Sequence, residues 1–86
     1  MRNILLNKVY RHFKGKYYIP MNIAEHTGDG EVYVVYRALY GECRVYIRPL
    51  EEFLSKTDKK KYPNALQDFR FELAEIPSGA MMETDQ

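Results

Sequence analysis

Turn signals divide the chain into short runs rich in valine, isoleucine and tyrosine, and this spacing constrains the fold most. Lys14-Gly15-Lys16 separates a run over Val9–Phe13 from a second run over Tyr17–Ala24. Thr27-Gly28-Asp29-Gly30 then leads into a third run, Val32–Leu39, and its glycines favour a hairpin because glycine adopts positive φ without strain. β-branched and aromatic residues suit a pleated, half-buried surface, so these runs predict strands.

A fourth run covers Cys43–Arg48 and ends at Pro49, because proline has no N–H to donate to a neighbouring strand. Three consecutive strands joined by tight turns make an antiparallel meander. In the third strand we expect Val34, Tyr36 and Ala38 to face the core, because Arg37 interrupts the other set of alternate residues. In the fourth strand we expect Val45 and Ile47 to point inward.

The second half of the chain predicts one turn of helix and a closing strand. Leu50, Phe53 and Leu54 share a helical face, but the segment spans barely one turn. From Phe69 to Leu73, apolar residues alternate with polar ones, which indicates a strand with one buried face. The pattern is typical of a mainly β fold, a small antiparallel SH3-like barrel or roll with one short helical turn and a late closing strand.

Length and composition predict a single globular domain. A chain of 86 residues holds one core, which we place in residues 1–76, with a C-terminal tail over 77–86. The 45% hydrophobic content argues against a disordered chain. No apolar run is long enough to cross a bilayer, and the first six residues are too short for the core of a signal peptide, so we expect a cytoplasmic protein without membrane association.

Charge is distributed unevenly along the chain although the formal net charge is only +1. One basic block lies within residues 8–16 and a second within residues 56–61, whereas acidic residues predominate after Gln67. A protein devoted to nucleic acid is usually more basic than this. We therefore favour solvated surface as the role of both blocks, and a mild preference for anions on one face as the alternative.

Histidine, cysteine and carboxylates offer little sign of catalysis or metal binding. His12 and His26 are the only histidines, and with Glu25 or Glu51 they lack the spacing of a metal motif. Cys43 is the only cysteine, and we interpret it as a small core residue rather than a nucleophile. We expect no metal and no cofactor, and a small metal-dependent enzyme is the least favoured function.

Several short motifs together resemble one family. They are Tyr10-Arg11-His12-Phe13-Lys14-Gly15, Tyr18, Ala24-Glu25-His26, Val35-Tyr36-Arg37-Ala38-Leu39-Tyr40-Gly41, Arg48-Pro49-Leu50-Glu51-Glu52-Phe53 and Arg70-Phe71. In order and spacing over the first fifty-five residues, the chain is similar to the small, mostly bacterial proteins classed as domain of unknown function 1653. The resemblance implies a compact β domain related to SH3-like barrels and no established activity. Tyr46 stands where the family commonly has tryptophan.

The remaining candidate for a site is an aromatic and arginine surface, which we expect to be assembled from Tyr10, Arg11, His12, Phe13, Arg37, Tyr40, Tyr46, Arg48 and Glu51. Tyrosine and arginine offer rigid area, stacking and forked hydrogen bonding, as binding surfaces require. The first hypothesis is a non-enzymatic module that binds a peptide or protein. The second is a nucleic-acid or nucleotide binder. Against both stands a structural role, which fold class alone favours, with the tyrosines as ordinary strand residues and arginine paired with Glu51 or Glu52. Oligomeric state stays undetermined.

Overall fold

The computed structural model describes residues 3–74, which form one antiparallel sheet of five strands with a short helix on one face. The strands follow the order β4-β3-β2-β1-β5 across the sheet. Their bounds, with the helix, are β1 Tyr10–His12, β2 Tyr17–Glu25, β3 Val32–Ala38, β4 Val45–Pro49, α1 Leu50–Phe53 and β5 Phe71–Leu73. The prediction of a mainly β, antiparallel fold with one helical turn is confirmed. The proposed tail over 77–86 lies outside the described residues.

The meander forms as the turn signals predict. Between β2 and β3, His26 N–H donates to Glu31 O at 2.8 Å and Gly30 N–H donates to His26 O at 2.9 Å. Gly30 takes a φ of 73°, a value that a residue with a Cβ adopts only with strain. Gly15 has a φ of 107° in the turn between β1 and β2. The positive φ of these two glycines allows tight turns, so consecutive strands pair without long connections.

The sheet is not closed into a barrel, so the expected SH3-like barrel is not confirmed. Closure requires the first and last strands of the sheet to hydrogen-bond to each other. Here β4 and β5 lie at opposite edges of the strand order. The closing strand does form, but it pairs with β1, where His12 lies opposite Phe71. The result is an open sheet with α1 on one face.

The core lies between α1 and the covered face of the sheet. Val34, Tyr36 and Ala38 of β3 are buried, which confirms the expected orientation of that strand. Phe53 of α1 stacks on Phe71 of β5, with ring centroids 4.0 Å apart and planes 5° apart. Each fully buried side chain of this size contributes about 1.5–3 kcal/mol relative to an exposed one. One helical turn is stable here because its apolar residues complete this core.

The predicted inward orientation of β4 and the predicted burial of Cys43 are wrong. Val45 and Ile47 are 45% and 63% exposed, because Tyr46 lies opposite the buried Tyr36 and residues opposite each other share a face. Leu73 of β5 lies opposite the buried Tyr10 and so shares the covered face, but at the end of this edge strand it is 47% exposed, whereas Phe71 is buried as expected. Cys43 is exposed rather than in the core. Val45 and Ile47 lie on the face that α1 does not cover, and Cys43 lies in the connection between β3 and β4. Within residues 3–74, no helix is long and apolar enough to span a bilayer.

Candidate functional site

The nine residues selected from the sequence do not form one surface. Four of them, His12, Tyr40, Tyr46 and Arg48, lie on the covered face of the sheet, where they remain partly accessible around the edge of the core. Tyr18 and Tyr36, which the sequence analysis did not select for the site, connect them. We call these six residues the tyrosine–arginine surface.

Ring contacts run through the tyrosine–arginine surface, edge to face for Tyr18 with Tyr36 and with Tyr40, and tilted at 43° for Tyr36 with Tyr46. Ring centroids lie 5.5 Å apart for Tyr18 and Tyr36, 5.5 Å for Tyr18 and Tyr40, and 5.9 Å for Tyr36 and Tyr46. The two edge-to-face pairs are favourable because the positive edge of one ring meets the negative face of another. Tyr46 and Tyr40 are 40% and 36% exposed, so their rings present accessible apolar area beside hydroxyl groups.

Arg48 is held in place by two hydrogen bonds. Its Nε donates to the Tyr36 hydroxyl at 3.2 Å, and its Nη1 donates to Glu52 Oε1 at 2.6 Å. Burial by itself lowers the pKa of Arg48, but the contacts with Tyr36 and Glu52 outweigh it and raise that pKa. An arginine has five N–H donors, so three remain for a ligand or solvent. Of the two acids considered for a structural pair with arginine, Glu51 and Glu52, it is Glu52 that pairs with Arg48.

His12 is a neutral imidazole within this surface. Its ring lies 4.9 Å from the Phe71 ring and 6.4 Å from the Tyr18 ring, centroid to centroid. Burial lowers the pKa of His12 to about 4, and the positive charges of Arg48, Arg70 and Lys14 add to the effect. Lys14 N–H donates to His12 Nδ1 at 3.1 Å, so the single ring proton resides on Nε2. His12 thus presents a donor and no charge at neutral pH.

The hydroxyls of Tyr18 and Tyr40 lie 2.8 Å apart. Burial, followed by the hydrogen bond with Tyr40, raises the pKa of Tyr18, so its phenol stays protonated at physiological pH. One hydroxyl of the pair donates to the other, and the second therefore keeps its hydrogen for a ligand or water. Lys16 Nζ lies 4.5 Å from the centroid of the Tyr40 ring and adds positive charge at this rim. The surface is rich in hydrogen-bond donors and in positive charge.

The other selected residues lie elsewhere. Tyr10 is only 1% exposed, and its hydroxyl accepts a hydrogen bond from Leu5 N–H at 2.9 Å. Arg11 donates to Gln67 Oε1 at 2.7 Å, and Gln67 Nε2 donates back to Arg11 O at 3.0 Å, a contact that braces β1 against the loop before β5. Arg37 donates to Cys43 O at 2.8 Å.

Phe13 and Glu51 line separate concavities. Phe13 lines one cavity together with Tyr62, and their ring centroids lie 4.8 Å apart. Glu51 borders an apolar groove of about 410 Å³ together with Glu31 and Leu50. A larger concavity of about 590 Å³ opens beside Arg11, lined by Tyr17 and other residues. None of these three cavities includes a residue of the tyrosine–arginine surface.

The histidines are not arranged as a metal centre. His26 lies in the β2–β3 turn, where its Nδ1 accepts a hydrogen bond from Gly28 N–H at 3.0 Å. His12 lies on β1, and its Nδ1 is occupied by Lys14 N–H. Over residues 3–74, no group of three or more histidine, cysteine, aspartate and glutamate side chains is placed to hold a metal ion.

Comparison with known proteins identifies the family. A family model described as a protein of unknown function (DUF1653) matches residues 8–73, which include all five strands and the helix. The chain belongs to the DUF1653 family. The crystal structure of a DUF1653 protein from Bordetella bronchiseptica is similar to this DUF1653 domain at 28% identity, with a TM-score of 0.67. The match covers 86% of this chain and 95% of the Bordetella chain. No curated protein shows significant similarity to the chain.

Proposed function

We propose that this DUF1653 domain is a non-catalytic interaction module that binds an acidic peptide or protein segment through the tyrosine–arginine surface. The observation that carries the proposal is the placement of Arg48, braced by Tyr36 and Glu52, beside the half-exposed Tyr46 ring. A guanidinium that is already oriented loses little conformational freedom when it binds a carboxylate.

Donor and acceptor chemistry favours an anionic partner. Arg48 keeps three N–H groups, His12 offers Nε2–H, and one hydroxyl of the Tyr18–Tyr40 pair keeps its hydrogen. An ionised carboxylate accepts hydrogen bonds without donating any, so it is complementary to such a set. Arg70 and Lys14 lie close enough to lower the pKa of His12, and with Arg48 they outnumber Glu52, the acid that pairs with Arg48.

Tyrosine rings supply the apolar part of the contact. Tyr40 and Tyr46 expose ring area next to the donors, and binding sites commonly combine tyrosine with arginine for this reason. We therefore expect the partner to carry an acidic residue close to an apolar or aromatic one. A segment of this kind places its carboxylate on Arg48 and its apolar side chain against Tyr46.

Selection from a random peptide library displayed on phage tests the proposal. We expect selected peptides to be enriched in aspartate or glutamate next to an apolar residue, and binding by Tyr46→Ala or Arg48→Met to be about tenfold weaker or worse. Ile47→Ala is the matched control, because Ile47 lies between these two residues and faces the opposite side of the sheet. If Ile47→Ala abolishes binding and Tyr46→Ala does not, the proposed surface is wrong.

A further inference from the structure

A cleft of about 370 Å³ lies between the β1–β2 turn and the loop that leads to β5. Phe13 and Lys14 form one wall, and the segment from Lys61 to Ala65 forms the other. Phe13 also contacts His12, with ring centroids 4.4 Å apart, so the cleft adjoins the tyrosine–arginine surface but consists of other residues. Only the fold creates this cleft, because its two walls lie far apart in the sequence.

The cleft combines an aromatic pair with two positive charges. Phe13 and Tyr62 meet at a ring-centroid distance of 4.8 Å with planes inclined at 55°. Lys14 Nζ and Lys61 Nζ lie 5.3 Å and 5.5 Å from the centroid of the Tyr62 ring. Within residues 3–74, neither lysine forms an ion pair with a carboxylate. Two positive charges beside one ring favour an anion that lies near both.

Hydrogen bonds hold the loop wall of the cleft. Asp58 Oδ1 accepts from the N–H groups of Lys60 at 3.0 Å and Lys61 at 3.2 Å, and Tyr62 N–H donates to Asp58 O at 2.8 Å. Lys59 Nζ donates to Ala65 O at 2.7 Å. One oxygen of the Asp58 carboxylate, Oδ1, is therefore bound by backbone donors, which offset part of its repulsion of an anion.

Hydrogen bonds also hold the turn wall. Phe13 N–H donates to Arg70 O at 3.0 Å, and Gly15 N–H donates to His12 O at 2.7 Å. Lys14 N–H is fixed on His12 Nδ1. With both walls braced, a ligand loses little affinity to ordering of the site, because the rings already occupy their positions before binding.

We propose that this cleft is a nucleotide-binding site, in which the base packs against Phe13 and Tyr62 and the phosphate binds Lys14 and Lys61. Aromatic rings accept any base because every base has a π face, and lysine binds phosphate as a point charge. Asn64 lines the same cleft and supplies an amide for the edge of the base. The ligand is a free nucleotide or one nucleotide of a single strand.

The test is an NMR titration of the full chain, at low salt, with three probes: adenosine 5′-monophosphate, adenosine and an oligothymidylate. We expect amide shifts centred on Phe13–Lys14 and Lys61–Ala65, and weaker binding of adenosine than of its monophosphate. Binding of the monophosphate identifies a free nucleotide as sufficient, whereas binding of the oligothymidylate alone identifies a single strand. If none of the probes binds, or if the shifts lie outside the cleft, the proposal is refuted.

A matched pair of double variants separates binding in the cleft from general electrostatic attraction. Lys14→Gln with Lys61→Gln should weaken binding about tenfold or more, since two phosphate contacts are lost. Lys8→Gln with Lys56→Gln removes the same charge from exposed positions outside the cleft and should have less than about a twofold effect. Equal losses in the two double variants would overturn the proposal.

Substitution of the ring gives the second matched pair. Tyr62→Leu should cost about tenfold in affinity, and Tyr62→Phe should retain it, because only the leucine variant loses the stacking surface. Both variants are first checked for the wild-type amide spectrum away from the cleft. Equal affinities for the leucine and phenylalanine variants would contradict a role for stacking, whether or not the lysines matter.

Discussion

The lowered pKa of His12 predicts that the domain loses stability in mild acid. In the unfolded chain, His12 titrates with a pKa near 6.5, whereas burial and the charges of Arg48, Arg70 and Lys14 lower it to about 4 in the folded domain. Between these values, the unfolded state binds more protons than the folded state. The free energy of unfolding therefore falls as the pH decreases through this window and is fully restored above the upper value.

The magnitude follows from the two pKa values. At about pH 5, the full shift would lower the free energy of unfolding by about 2 kcal/mol relative to neutral pH. Because the His12 side chain is only partly buried, solvent screening reduces this effect, and we expect about 1 kcal/mol. A loss of this size is a measurable fraction of the stability of a small domain.

The assay is urea unfolding at about pH 7.5 and about pH 5, a range that lies mostly above the usual titration of carboxylates. His12→Asn preserves an acceptor for Lys14 N–H but cannot bind the proton, so it should lose about 1 kcal/mol less on acidification. His26→Gln, at an exposed histidine of the β2–β3 turn, serves as the control. Equal acid sensitivity of wild type and His12→Asn, or an NMR midpoint of the His12 imidazole near 6.5, would refute the reasoning.

Three further predictions concern the core and the tyrosine–arginine surface. Phe53→Ala should lower the free energy of unfolding by about 3–5 kcal/mol in urea titrations, because it empties the contact with Phe71 at the centre of the core. Arg48→Met should raise the pKa of His12 in an NMR titration, because it removes a positive charge that depresses it; an unchanged midpoint would contradict their proximity. Tyr40→Phe should lower the pKa of Tyr18 in an alkaline ultraviolet titration, since burial remains but the hydrogen bond is lost.

Strand positions follow from local sequence, and this is why the meander and the closing strand could be predicted. Turn residues and β-branched runs act over a few neighbours, so Gly30 and the run over Val32–Leu39 predict the β2–β3 hairpin without reference to distant parts of the chain. The inward face of β3 was also predicted correctly, because Arg37 marks its outer face. Closure of the sheet could not be predicted, because it depends on where the edges of the whole sheet lie.

The orientation of β4 shows where local pattern fails. Val45 and Ile47 alternate with Tyr46 and Arg48, and both sets contain residues that a strand can bury. Alternation separates the two sets but does not say which one meets the core. Pairing with β3 decides, since Tyr46 lies opposite Tyr36 on the face that α1 covers.

For the candidate site too, the sequence supplies the residue types and the tertiary structure decides which of them meet. Aromatic and cationic residue types, and hence the capacity to bind anions and apolar groups, are properties of the chain itself. Which of them meet is a matter of strand register: Tyr18 and Tyr36 join His12, Tyr40, Tyr46 and Arg48 across neighbouring strands. Tyr10, from the same run as His12, is buried instead.

Local residue chemistry thus determines the strands, the turns and the supply of tyrosine, arginine and lysine. The tertiary structure determines the open sheet, the covered face and the convergence of Lys14 with Lys61 at Tyr62. The physical reason is the distance along the chain over which each effect acts. Turn and strand preferences depend on backbone sterics within a few residues, whereas burial and charge proximity depend on contacts between segments that are distant in the chain.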